Sequence, residues 1–249
     1  SKLNINEDLD SVGYSVQKKK DKIFFKTDFE IKSNALNIEL LNYTKNKDIK
    51  SNLVVEGVVN NNSSVLLNKI NFTEFKNSIK VKNINLNSKK KIKTIDQIDV
   101  DLINNNEQIS QLNIKRKKSN YSINSKIFDG IKILDRILFS KNDGNSFDIF
   151  EKINSKISIN FDTIYISSED YLTSFKADII VNNNEIKDLI LSSQFSTKED
   201  LKLSIRTNQN NEKVTDLFAG NAKPLVKKYD FVKGFEGGYL KFNSIEKNK

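Results

Sequence analysis

The sequence predicts a mainly β fold: an antiparallel sheet carrying two short helices. Three observations lead there. Apolar residues recur with period two along most of the 249 residues, Asn-rich turns punctuate the runs, and a single Pro leaves the ladder donors intact. The clearest run is Ile157, Ile159 and Phe161, alternating with Ser158 and Asn160, with Ile164 and Ile166 in a second phase. Phe175, Ala177, Ile179 and Val181 alternate with Lys176, Asp178 and Ile180. Leu189 and Leu191 flank Ile190, and Leu201, Leu203 and Ile205 alternate with Lys202, Ser204 and Arg206. In a strand each set faces one side, and branched Ile suits a pleated surface.

Earlier segments repeat the pattern. Ile23, Phe25, Phe29 and Ile31 come first, with a slip of phase expected among them, then Leu36, Ile38 and Leu40. Leu53, Val55 and Val58 follow, then Ile79 and Val81 shifting to Ile84 and Leu86. Ile98, Val100 and Leu102 precede Leu112 and Ile114. One-residue slips predict bulges, which bend a strand and raise its twist. The triplets Asn60–Asn62, Asn104–Asn106 and Asn182–Asn184 predict hairpin turns in which Asn stands in for Gly in left-handed backbone. Strands every ~10–15 residues are expected to join antiparallel throughout.

Two segments read as helix. Ile131, Leu134 and Leu138 have helical spacing over 130–139. Ala222 to Tyr229 follows the N-cap candidate Asn221, with Pro224 in the first turn and Lys227 and Lys228 in the last. Ser140 to Ser146, centred on Asp143 and Gly144, reads as a loop. No break in composition divides the chain, so 1–249 reads as a single segment.

Composition excludes much chemistry. The chain has no Cys, so it has no disulfide framework or thiolate nucleophile, and no His, so imidazole catalysis and ligation are absent. Ser is plentiful, but no base is placed to activate one. Gly237 and Gly238 form an isolated pair rather than a phosphate loop. Asp99 and Asp101 share one face of an alternating strand without a third ligand, and Asp8 and Asp10 are similar; each pair reads as solvated surface. Glu169 and Asp170 read as a turn. Catalysis, a cofactor and a metal are not expected.

The net charge of +9 comes from 38 Lys and only 3 Arg, beside 35 Asn. Scarce Ala, Gly, Pro and Arg beside abundant Lys, Asn and Ile is the bias of AT-rich coding, which makes most of this Lys solvated surface. Lys18–Lys20, Lys89–Lys91 and Lys115–Lys118 hold one Arg and no aromatic, unlike a nucleic-acid interface. No apolar run nears the ~20 residues of a membrane helix. With no initiator Met and no signal-peptide pattern, the chain reads as a piece of a longer protein.

A sheet with one apolar face must cover it by closing into a barrel, packing on a second sheet, or leaving a furrow for a ligand. Periodicity alone favours a self-filled sandwich. A furrow lined by Ile, Leu, Val and Phe would instead take acyl chains, at about 0.8 kcal/mol per buried CH₂.

The C-terminal stretch bears on that choice. Asn221 opens a short helix with Leu225 and Val226, Tyr229 and Phe231 follow, and Gly237, Gly238 and Leu240 end it. This pattern resembles the AsmA-like proteins, particularly the YhdP-type branch, most clearly over 121–243; 1–120 matches only in its β character. The resemblance implies an elongated, twisted antiparallel sheet forming an open groove in the envelope of a diderm bacterium. It implies a periplasmic location and an inner-membrane anchor in parts of the parent protein. It also implies a non-enzymatic role in moving phospholipid between inner and outer membranes. The groove candidates are Ile157, Ile159, Phe161, Phe175, Ala177, Ile179, Leu189, Leu191, Leu201, Leu203 and Ile205, acting collectively on acyl chains. Asn221, Leu225, Val226, Gly237, Gly238 and Leu240 are expected to be structural, the glycines allowing a tight return to the sheet. The rival expectations are an envelope assembly module acting by strand addition at an open edge, and a basic binding module.

Overall fold

In the computed structural model the described residues are 11–133, 150–210, 212–229 and 237–246, excluding the side chains of Lys228 and Tyr229. The fold is mainly β, built on one open, mostly antiparallel sheet of 14 strands. The described chain divides into two compact units, 1–117 with 132–152 and 118–131 with 153–249.

The first unit contains β1 (Ser11–Lys19), β2 (Lys22–Ile31), β5 (Ser51–Val59), β6 (Val65–Glu74), β7 (Asn77–Leu86), β8 (Ile92–Ile103) and β9 (Ile109–Lys117) in the main sheet. Each pairs antiparallel with the next in that order. Between β2 and β5 the chain makes a small ladder, β3 (Leu36–Ile38) with β4 (Tyr43–Lys45), joined by a 3-10 turn at Glu39–Leu41. Leu40, expected to continue the alternation of Leu36 and Ile38, belongs to that turn; Asn42 closes it in left-handed backbone at φ 48°. The ladder carries a small core. Tyr43, Phe72, Val100 and Leu102 are buried together, with Leu36, Ile38 and Leu41 packed against them.

The second unit contains β10 (Asn120–Asp129), β11 (Ser155–Tyr165), β12 (Tyr171–Asn182), β13 (Glu185–Phe195), β14 (Asp200–Thr207), β15 (Lys213–Ala219) and β16 (Leu240–Glu246). A helix, α1 (Lys223–Tyr229), stands between the last two strands. From β11 to β16 successive strands pair antiparallel. The expectation of antiparallel joins throughout fails at β10 and β11, which are parallel from Tyr121↔Ile157 to Asp129↔Tyr165. A parallel join needs a crossover of a dozen or more residues, and the connection from Gly130 to Asn154 supplies one. Residues 131–133 are helical. The rest of the helix expected over 130–139, and the loop expected at Ser140 to Ser146, lie outside the described residues.

Phase slips become bulges at specific residues. Phe161 and Ile164 are both buried although three apart, and opposite them Leu172 and Phe175 are both buried. Ser174 absorbs the extra residue at φ 51°, where the β12–β13 register also shifts. Asn83, at φ 53°, separates Val81 from Ile84 in the same way. In β2 the expected slip is absent. Its register with β5 is continuous from Ile23 to Ile31, because Thr27 fills the position between Phe25 and Phe29.

The turns are built by a recurring loop. The N–H of residue i donates to the carbonyl of i+4, and the N–H of i+3 returns to residue i, in loops starting at Asn60, Asn87, Asn104 and Phe195. The left-handed residue is then Ser63, Lys90, Glu107 or Lys198. This is the three-residue hairpin loop whose i+3 position Gly usually occupies. Asn104 closes its loop with its side chain, accepting the N–H groups of Asn106 and Gln108 at 2.9 Å each. Of the three Asn triplets, only Asn182–Asn184 places Asn itself in left-handed backbone, at Asn183 and Asn184.

Candidate functional site: an apolar sheet face

Residues directly opposite in a ladder share a face, so the register alone assembles the site. In the second unit Ile157, Ile179, Leu189 and Ile205 are successive cross-strand partners. Ile159, Ala177, Leu191 and Leu203 form the next row. Phe161 pairs with Phe175, and Leu201 faces Ser193 and Ala219 in the row beyond. All the groove candidates therefore lie on one face. Sequence reading missed the flanks. Tyr121 and Ile123 extend the first two rows on the β10 side. Leu217 and Phe242 continue the second row through β15 and β16. Leu217 was obscured because Val214 and Phe218 give β15 apolar residues in the other phase as well.

Exposure is graded along this face. Phe161, Phe175, Ala177 and Leu201 are buried, as are Phe128, Ile164, Leu172 and Phe195 at the same end. Phe161 stacks on Phe175 with ring centroids 5.8 Å apart and meets Phe128 at 5.4 Å. The helix α1 belongs to this end, with Ala222 and Val226 buried. Ala222 donates its N–H to Gly238 O at 2.9 Å, and Lys227 pairs with Glu169 at 3.0 Å. That contact holds the Lys227 ammonium above its ordinary pKa, through the hydrogen bond from Lys227 to Glu169 and the attraction between their charges. Asn221 lies one residue before the cap position and accepts the Lys223 N–H at 3.2 Å. Leu225 is half-buried. Gly238 sits at φ 107°, a backbone region that side chains disfavour, and Leu240 enters β16 opposite Ala219.

Beyond that end the face changes character. Ile157, Ile159, Ile179, Leu189, Leu191, Leu203 and Ile205 are only half-buried, and past them, at the far end, Val181 is buried again. Among the described residues, elements contact chiefly their hydrogen-bonded neighbours, and the only other ladder is β3–β4. None of the row positions named is Asp, Glu, Lys or Arg. On the opposite face Asp178 accepts from Ser158 at 2.7 Å and Asp216 from Asn243 at 2.7 Å; Lys213 and Glu246, partners one row beyond Thr215 and Ser244, bring charge to the far margin of the apolar face.

The first unit has the same organisation. Phe29, Leu53, Phe72, Ile79, Val100 and Leu112 are successive partners. Thr27, Val55, Ile70, Val81, Ile98 and Ile114 form the next row, and Phe25, Gly57, Leu67, Ile84 and Ile95 the third. Here the β3–β4 ladder covers one end. Tyr43 donates to Glu74 Oε2 at 2.7 Å, and burial together with that carboxylate holds the phenol pKa well above its ordinary value. Lys45 is fully buried, its ammonium donating to the carbonyls of Lys32 and Asn34 at 2.8 and 2.7 Å.

On the polar face of this unit Asp99 accepts from Gln97 and Asn113, and Asp101 from Gln111 at 3.4 Å. These bonds tie the Asp pair into side-chain ladders. Among the described residues no three Asp or Glu gather as a metal site, and no helix is long and apolar enough to cross a membrane. Asp8 and Asp10 lie outside the described residues. Comparison with protein-family models, curated proteins and solved structures gives no match.

Proposed function

We propose that the chain is a non-enzymatic lipid-binding segment whose apolar sheet face accommodates phospholipid acyl chains. In this reading it forms part of a periplasmic groove that helps conduct phospholipid between inner and outer membranes. The observation that carries it is the pair of cross-strand rows through Ile157 and Ile159 in the second unit: uncharged, paired strand to strand from β10 to β16, and mostly half-buried between the α1 end and Val181. Wetted apolar surface costs about 25 cal/mol per Å², and acyl chains relieve that cost without needing directional partners. Membrane attachment would come from other parts of the parent protein, and neither a cofactor nor nucleic acid is required.

Native mass spectrometry of the purified chain is expected to detect bound phospholipid. Leu191 and Leu203 face each other across β13 and β14, so Leu191→Asp with Leu203→Asp places two carboxylates on the wall. That variant is expected to keep its β-sheet circular dichroism and lose the lipid. A lipid-free wild type, or a folded variant that retains lipid, overturns the reading.

One observation favours a second reading, an assembly module acting by strand addition. Every residue of β1 is exposed, including Val12, Tyr14 and Val16, and such an edge can template another strand. Cross-linking through cysteines introduced at Ser11 or Ser15 would then capture a protein partner.

A further inference from the structure

Phe75 occupies the two-residue turn between β6 and β7. Its side chain is 97% exposed and its backbone lies at φ 52°. Both features are unfavourable for phenylalanine. Bulky residues disfavour left-handed backbone, and a wet phenyl ring gains nothing from folding. Neither is compensated by packing within the chain.

The surroundings point to what does compensate. Asn77, just past the turn, accepts the Ile103 N–H at 2.8 Å, tying this tip to the β8–β9 hairpin. There Ile103 and Ile109 are register partners, and both are about half exposed, at 45% and 50%. Lys76, next to Phe75, is exposed. The neighbouring carboxylate of Glu74 is buried and engaged by Tyr43 and Asn77; Glu107 on the adjacent loop and Asp101, the β8 partner of Ser78, are the exposed acids.

We propose that this end of the first unit inserts into the interface of an anionic lipid bilayer, with Phe75 as the wedge and Lys76 at headgroup level. A stable protein interface buries about 800 Å² per partner, more than a few apolar side chains on hairpin tips provide. Interfacial insertion needs only a few, assisted by basic groups, and aromatic rings favour that depth. The net charge of +9 adds long-range attraction to anionic lipid. This contact is independent of the acyl-chain site on the sheet face.

The chain has no Trp, so Phe75→Trp gives a unique indole. With vesicles of phosphatidylcholine and phosphatidylglycerol, its emission is expected to shift to the blue and to be quenched by brominated acyl chains. Phe75→Asn suits the turn better and is expected to keep or raise the melting temperature. It is also expected to lower vesicle binding about tenfold, the difference made by burying or not burying one ring. Ile190→Asn, an exposed position on the polar face of the other unit, is expected to leave binding unchanged. Co-purified lipid is expected to survive Phe75→Asn, so this proposal and the acyl-chain site fail separately. An unshifted indole on vesicles, or undiminished binding by Phe75→Asn, overturns the proposal; the former directs the search to a protein partner.

Discussion

Gly57 and the hairpin loops give residue-level predictions of opposite sign. A methyl on Gly57 would lie 2.7 Å from Phe25 Cζ and 2.8 Å from Leu66 O, so the Phe25 ring lies over a position only Gly can leave open. Gly57→Ala is expected to destabilise by about 1–3 kcal/mol, read as a lower urea midpoint at unchanged slope. Lys90 and Glu107 instead hold left-handed backbone at φ 62° and 59°. Lys90→Gly and Glu107→Gly are each expected to stabilise by about 1 kcal/mol in the same assay. The sequence shows where these turns fall, because Asn clusters interrupt the alternation. It does not show which residue takes the left-handed position, since an Asn side chain that closes a loop and an Asn backbone that turns one look alike in composition.

The elements divide by how local their determinants are. Strand faces were legible because period two survives every register, and the irregularities at Asn83 and between Phe161 and Ile164 announced themselves as slips of phase, whereas the matching bulge at Ser174 did not. The parallel pairing of β10 with β11 was not, because alternation encodes which side a residue faces and says nothing of the neighbour's direction. The β3–β4 ladder was equally hidden, since its anchor is a buried lysine. Lys45→Met would remove the ammonium that the carbonyls of Lys32 and Asn34 both accept from, while Lys32 O keeps the Asp48 N–H. The expected cost is about 1–3 kcal/mol for the two charge-assisted hydrogen bonds lost, seen as a lower melting temperature.

Asp96 links β8 to β9 through Arg116 at 2.6 Å. Burial raises its pKa, but the hydrogen bonds from Arg116 and Asn83 outweigh this and leave it below the ordinary value of 3.8. A lowered folded pKa contributes stability above the unfolded value and loses it as pH falls through the folded one. The stability gap between wild type and Asp96→Asn is therefore expected to be flat from about pH 7 to about pH 5 and to close below about pH 4. Urea titrations at several pH values measure it.

At the scale of the whole molecule, both units gather uncharged apolar rows on one face, and each covers one end of that face with a local device. The candidate wall was legible because it is a property of alternation. Its flanks at Tyr121, Ile123, Leu217 and Phe242 were not, because membership there depends on pairing across strands. The small ladder and α1 explain the graded exposure, which no linear pattern carries.

The pairing of each strand with its hydrogen-bonded neighbours has one further consequence. Couplings along each unit form a line, so cohesion accumulates toward its middle and thins toward its margins. Amide protons of β1, which pairs with β2 alone among the described residues, should exchange with deuterium well before those of β6 and β7. Mild denaturant should then peel the ribbon inward, rung by rung.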